Sequence, residues 1–332
     1  MHLSLDDLLG TARVVSLPLV SRFRGIELRE AVVLEGPNGW TEFSPFTEYR
    51  DAEASTWLAA AIDFGWSPTP PRLRETVGVN ATLPAVPASE VHGVLERFPG
   101  CRTVKVKVAD PAQSLVDDVA RVAATREFLG PDGRIRVDAN GAWTVDEAER
   151  AIHALAEYDL EYVEQPCETV DELAQVRQRV KYMGIPIAAD ESVRKAEDPL
   201  AVARSGAADI LVIKAQPLGG IAAALRIGTE AGLPVVVSSA LDPSVGISMG
   251  LHLAAAIPGL EFDCGLATAV LLAADVTDEP LVPVDGQLDV RRVTPTAHLL
   301  DTHAANGDRT NWWLARLERC YRLLTEGGSP AG

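Results

Sequence analysis

The strongest constraint in this 332-residue sequence is a recurrence. Short apolar runs follow one another along its middle, and most of them end on a polar or charged residue. Lys105-Val106-Lys107, Asp138, Glu164, Asp190, Lys214 and Ser238-Ser239 all stand at such ends. The steps from Lys107 to Asp138, Glu164, Asp190, Lys214 and Ser238 are 31, 26, 26, 24 and 24 residues. Each step is about one strand, one helix and two short loops. Eight β-rich runs carry the pattern, at 77–83, 103–108, 134–137, 160–163, 185–189, 210–213, 235–237 and 260–262, and helical stretches such as 114–128, 144–157, 170–182 and 221–231 lie between them. Buried-type strands alternating with helices predict an α/β barrel of parallel strands. A doubly wound open sheet would carry a Gly-rich turn after its first strand. Here 77–83 is followed by Pro84-Ala85-Val86-Pro87.

The flanks have a different texture. The first 75 residues or so read as α+β, with strand-like stretches at 12–19 and 27–35 and a helical pattern at 52–64. Gly36-Pro37-Asn38-Gly39 reads as a hairpin turn, and Pro68, Pro70 and Pro71 as a connector. After about residue 274 the alternation stops. An amphipathic helix near 311–324 is expected to pack back on the barrel or on the N-terminal part.

Several function classes are disfavoured by composition. The net charge is −17 and no basic stripe exists, so no nucleic-acid partner is expected. No apolar run reaches membrane length. Cys101, Cys167, Cys264 and Cys320 lie far apart without C-x-x-C spacing, which suggests neither a zinc site nor a disulfide framework. Met1 to Asp7 has no cationic leader character, so the expectation is a cytoplasmic protein with reduced thiols. Oligomeric state is not legible.

In a parallel barrel the C-terminal strand ends form the catalytic face. Asp138, Glu164 and Asp190 would therefore sit on three neighbouring strands. Three close carboxylates raise one another's pKa unless a cation is present. Oxygen-only ligands suit Mg²⁺, with Mn²⁺ equally compatible. Lys107 and Lys214 would flank the metal-bound substrate from opposite sides. Lys105 shares a strand face with Lys107, and a second ammonium there favours the neutral, basic form of its neighbour. The reaction class that follows is removal of the proton next to a carboxylate, the metal stabilising the enediolate. Taken singly, Asp138 could be a helix N-cap, Glu164 a loop charge and Asp190 a turn cap, but none of these readings explains all three together. Asn140 is expected to support the metal region. Ser238 and Ser239 either touch the substrate carboxylate or only bond the backbone. Arg22 and Arg24 form part of a lid or a solvated loop. None of the six histidines ends a barrel strand.

At these residues the chain resembles the enolase superfamily, in its muconate-lactonising-enzyme-like subgroup. Within the subgroup it is most similar to the o-succinylbenzoate synthase family. The segments that carry the likeness are Arg22-Phe23-Arg24-Gly25-Ile26, Gly39-Trp40-Thr41-Glu42-Phe43-Ser44-Pro45-Phe46, Lys105-Val106-Lys107, Asp138-Ala139-Asn140-Gly141-Ala142-Trp143, Glu164-Gln165-Pro166, Asp190-Glu191-Ser192, Ser238-Ser239-Ala240-Leu241-Asp242 and Gly265-Leu266-Ala267-Thr268. Thr41 stands where the family often has Gly. The resemblance implies a modified (β/α)7β TIM-like barrel at 76–275 and an α+β capping domain at 1–75, completed by 276–332. It also implies a syn-dehydration in which Lys107 removes the α-proton and then protonates the leaving hydroxyl, while Lys214 stabilises the enediolate as a cation. Members that act on acid sugars use a late barrel histidine, which this chain lacks. N-succinylamino-acid racemase or dipeptide epimerase activity suits two facing lysines equally, and a non-catalytic barrel that binds a small acid is the alternative of another class.

Overall fold

The computed structural model describes residues 3–23, 25–195 and 198–326. After a short helix, α1 (Leu5–Thr11), three antiparallel strands follow: β1 (Arg13–Phe23), β2 (Ile26–Gly36) and β3 (Gly39–Phe43). The Gly-Pro-Asn-Gly signal closes the second hairpin as expected, pairing Gly36 with Gly39 at φ 112°. Helix α2 (Asp51–Trp66) packs beneath this sheet. A Cβ on Gly36 would collide with the Gly65 carbonyl, so two glycines permit the approach.

The parallel sheet is then laid down in chain order. Its strands are β5 (Ala81–Leu83), β6 (Thr103–Lys107), β7 (Arg134–Asp138), β8 (Leu160–Glu164), β9 (Ile187–Ala189), β10 (Ile210–Ile213) and β11 (Val235–Val237), each paired with its sequence neighbour. Two expectations need correction at the seam. The run 77–83 is not one strand: β4 (Thr76–Gly78) pairs antiparallel with β12 (Gln287–Asp289), and the chain changes partners at Val79 before β5 begins. The run 260–262 forms no strand. The curled sheet is joined across its edges two residues later, where Cys264 bridges Val79 and Gly265 bridges Ser238. Only backbone with free donors at the right height can close the ring, and Cys264 and Gly265 donate to Gly78 and Val237.

Helices between the strands begin at legible signals. Ser114 with Asp117, Thr144 with Glu147 and Thr169 with Glu172 form capping boxes on α4 (Leu115–Leu129), α5 (Val145–Leu155) and α6 (Val170–Val180). With α3 (Val91–Leu95), the short α7 (Glu191–Arg194) and α8 (Ala201–Arg204), α9 (Ile221–Ala231) and the almost wholly buried α10 (Ser244–Ala256), they surround the sheet. After α11 (Ala297–Thr302), the last helix, α12 (Gly307–Glu326), returns to the N-terminal part. The Trp313 ring meets Phe43 edge-on, Arg309 and the Trp313 indole N–H bond Glu30, and Arg316 donates to the carbonyls of Phe46 and Tyr49. Among the described residues no helix is long and apolar enough to cross a membrane. The four cysteines are free thiols.

A buried charged group joins the N-terminal sheet to the loop after β11. Arg29 donates to the Leu241 and Ser44 carbonyls and lies 3.6 Å from Asp242. Ser44 donates to Glu42. One guanidinium faces two buried carboxyls here. Burial, and then the neighbouring Asp242, push the Glu42 carboxyl up to about 8, and burial also raises Asp242, against the pull of Arg29 and Lys214. The folded chain therefore keeps a proton that the unfolded chain releases, and stability falls as pH rises from 4.5 toward about 8. Denaturant midpoints measured across that window are expected to decline for the wild type and to run flatter for Glu42→Gln.

Candidate active site

Strand register aligns the row of charged strand ends. Lys107 pairs with Asp138 and Asp138 with Glu164, each the last residue of its strand, while Asp190 and Lys214 directly follow β9 and β10. Just beyond three of these ends the backbone turns through positive φ at non-glycine residues: Ala109 at 62°, Asn140 at 48° and Gln165 at 39°. Such conformations are uncommon and persist where surrounding bonds hold them. Gln165 is held well. Its Oε1 accepts from the amides of Asp190 and Ser192, and its Nε2 donates to Ser192 Oγ and the Cys167 carbonyl.

The charged side chains interlock at the mouth. Lys105 Nζ lies 2.9 and 3.1 Å from the two Glu164 oxygens and 3.2 Å from Asp138. Lys107 Nζ donates to Asp138 at 2.5 Å and to Asn140 Oδ1 at 2.8 Å. Lys214 Nζ donates to Asp190 Oδ2 at 2.5 Å, and Arg194 donates to Asp190 Oδ1 at 3.1 Å and to Glu191 at 2.6 Å. Asp138, Glu164 and Asp190 are almost fully buried.

Burial and pairing compete in every one of these groups. Burial disfavours the Asp138 and Asp190 carboxylates, but Lys107 and Lys105 beside the first, and Lys214 and Arg194 beside the second, outweigh it and hold both well below the usual range. Burial, then the charge of Asp138, push Glu164 up to about 7 despite Lys105. Burial opposes the Lys105 ammonium too, yet Glu164 and Asp138 raise its pKa. Lys107 and Lys214 are lowered, first by burial, with the Lys105 charge adding to both. Lys105 is thus a locked cation beside two lysines biased toward the neutral form.

All three expected ligands and all three lysines come together. Among the described residues no three His, Cys, Asp or Glu side chains stand close enough to hold a metal as they are. The reason is visible: ammonium groups lie between and against the carboxylates. By donor chemistry the set fits a hard divalent cation, with three buried carboxylates from successive strand ends.

A small cavity of about 30 Å³ lies among Lys107, Asp190, Lys214, Ser238, Phe23 and Thr268. Ser238 and Ser239 both line it, but their amides donate to Ile213 and Gly265, so these donors belong to the barrel seam. The Ser239 hydroxyl bonds the Gly265 carbonyl and Thr268, as loop hydroxyls commonly do. Ser238 Oγ comes so near Gly265 that a Cβ there would sit 2.6 Å away. Arg24 lies outside the described residues, and Arg22 is exposed. Phe23, whose ring centroid is 6.0 Å from Lys107 Nζ, Thr268 and Arg194 were not expected as functional residues from sequence. Phe23 and Thr268 lay within segments that carry the family likeness, whereas Arg194 had no signal beyond its i,i+4 spacing from Asp190.

Comparison with known proteins agrees with this architecture. The enolase C-terminal domain-like family model matches residues 90–295 and the enolase N-terminal domain-like model residues 14–65. The o-succinylbenzoate synthase of Mycobacterium ulcerans is 52% identical over 97% of this chain and 96% of its own, and that of Mycobacterium tuberculosis 54% identical over 96% of each. Among solved structures, muconate lactonizing enzyme from Pseudomonas putida superposes with a TM-score of 0.72 at 21% identity, covering 89% of this chain and 98% of that one. A dipeptide epimerase from Enterococcus faecalis gives 0.70 at 24% identity, over 86% of this chain and 97% of that one. These two likenesses concern the fold alone. The modified barrel with its antiparallel N-terminal sheet, and near-full-length similarity at more than half of all positions, place this chain in the o-succinylbenzoate synthase family of the enolase superfamily, a family of hydro-lyases.

Proposed function

We propose that this chain catalyses the syn-dehydration of 2-succinyl-6-hydroxy-2,4-cyclohexadiene-1-carboxylate to o-succinylbenzoate and water, a step of menaquinone biosynthesis. The observation that carries this reading is the 52–54% identity to curated relatives named o-succinylbenzoate synthase. In this reading residues 76–275 form the catalytic barrel, and 1–75 with 276–332 cap it.

Enolase-superfamily enzymes are metal-dependent, generally with Mg²⁺. A divalent cation on Asp138, Glu164 and Asp190 would supply Lewis-acid polarisation of the substrate carboxylate and compete with the ammonium groups for those oxygens. Lys107, lowered by burial and by Lys105, takes the α-proton into its Nζ lone pair. The electron pair of the broken C–H bond moves into the carboxylate. It then returns to form the ring double bond as the C–O bond to the hydroxyl breaks, and Lys107 gives its proton to that hydroxyl, which leaves as water. One lysine serving both steps makes the elimination syn. Lys214 faces the substrate from the other side and offsets the developing charge. Lys105 stays protonated and holds Glu164 and Asp138 in place.

The facing lysines also suit 1,1-proton transfer, one base to each face, so racemisation of an N-succinylamino acid is the second reading. Incubation with either substrate and Mg²⁺ separates the two. Formation of the aromatic product without deuterium exchange into N-succinylamino acids is expected, and rapid exchange with no dehydration would sink the first reading. Lys107→Ala is expected to lower the turnover rate by on the order of 10³-fold or more, and an unchanged rate would overturn the assignment of the base. Lys105→Met leaves Glu164 and Asp138 buried with one cation fewer. Equilibrium unfolding should show the variant less stable by about 3–5 kcal/mol.

A further inference from the structure

Asp190 is held on two sides by groups that differ in kind. Its Oδ2 accepts from Lys214, a lysine lining the cavity. Its Oδ1 accepts from Arg194 Nε, whose side chain is 3% exposed. Both terminal nitrogens of that guanidinium are also engaged. One bonds Glu191, and another donates to the Tyr49 hydroxyl at 3.1 Å. Tyr49 belongs to the turn before α2, in the N-terminal part of the chain. Its ring packs on Phe46 and Trp57 at 5.5 and 6.2 Å between centroids, and Arg316 of α12 binds its carbonyl. A planar guanidinium fixed at three edges orients the carboxylate it touches, which a single flexible ammonium does not.

We propose that Arg194 is a positioning residue for the metal site. It pins Oδ1 of Asp190 so that Oδ2 is presented to the cavity, and Tyr49 fixes Arg194, so the N-terminal part sets the geometry of one ligand on the barrel. The inference rests on the reading of Asp190 as a metal ligand. It concerns orientation, not charge: a cation so close to Asp190 would by itself repel Mg²⁺. Two substitutions that conserve charge isolate the orienting role. Arg194→Lys keeps the cation and loses the fork. Tyr49→Phe keeps the ring and loses the hydroxyl.

The test is calorimetric titration of each variant with Mg²⁺, without substrate, alongside circular dichroism and thermal unfolding. Groups that hold a ligand from behind typically change metal affinity by about 10- to 100-fold when replaced. Arg194→Lys is expected to lose affinity within that range, and Tyr49→Phe to lose several-fold in the same direction while remaining folded. Wild-type affinity in a folded Arg194→Lys overturns the proposal. Should Arg194→Lys fail to fold, Tyr49→Phe decides alone, and unchanged affinity there overturns it. Asp190→Asn serves as the reference. If it binds Mg²⁺ like the wild type, the metal assignment itself fails. If it loses binding while the two test variants keep theirs, only the positioning role fails.

Discussion

The buried ammonium of Lys105 is the interaction on which the site depends. It sits among carboxylates that have left water, within 3.2 Å of both Glu164 and Asp138. Carboxylates in such a place either bind protons or find cations. The balance is visible residue by residue. Asp138, with two lysines, stays easily ionised, while Glu164, with its single close cation shared, is pushed up to about 7. Lys105 cannot leave without stranding Glu164 and leaving Asp138 to Lys107 alone. The KxK strand is therefore asymmetric: Lys105 spans two carboxylates, whereas Lys107, the base of the proposed mechanism, bonds Asp138 and Asn140.

The rest of the architecture keeps that arrangement buried and aligned. Register along β6, β7 and β8 puts Lys107, Asp138 and Glu164 side by side. The N-terminal part then reaches the mouth by two connections, one apolar and one polar. Phe23 reaches the cavity, and Tyr49 reaches Arg194 behind Asp190. A third connection, through Arg29, Glu42 and Asp242, joins the same part to the loop after β11. Each connection ends near a different catalytic strand end, so the placement of the cap and the shape of the site are one problem.

Much of this could be read in the order of residues. Strand ends one β/α unit apart expose a charge at the same height each time, so periodicity alone brings Lys107, Asp138, Glu164, Asp190 and Lys214 to one face. The helix starts were equally local, because Ser114, Thr144 and Thr169 each find their partner three residues on. The seam was not. Val77 to Leu83 reads as one strand because apolar residues look alike to either neighbour. Only the closing geometry decides that Thr76–Gly78 pairs with Gln287–Asp289 and that Cys264 and Gly265, rather than 260–262, bridge the gap.

The sequence by itself determined the barrel, its catalytic end and the residue types there, because periodicity and strand-end position are properties of neighbours along the chain. It also carried the family, through short motifs. Tertiary structure decided which charge answers which. Arg194 and Tyr49 are 145 residues apart, and Arg29 and Leu241 are 212 apart. No local pattern announces such pairs, since a buried ion chooses its partner by distance in space. The amides of Ser238 and Ser239 make the same point: in sequence they were open to a substrate, and barrel closure assigned them to Ile213 and Gly265.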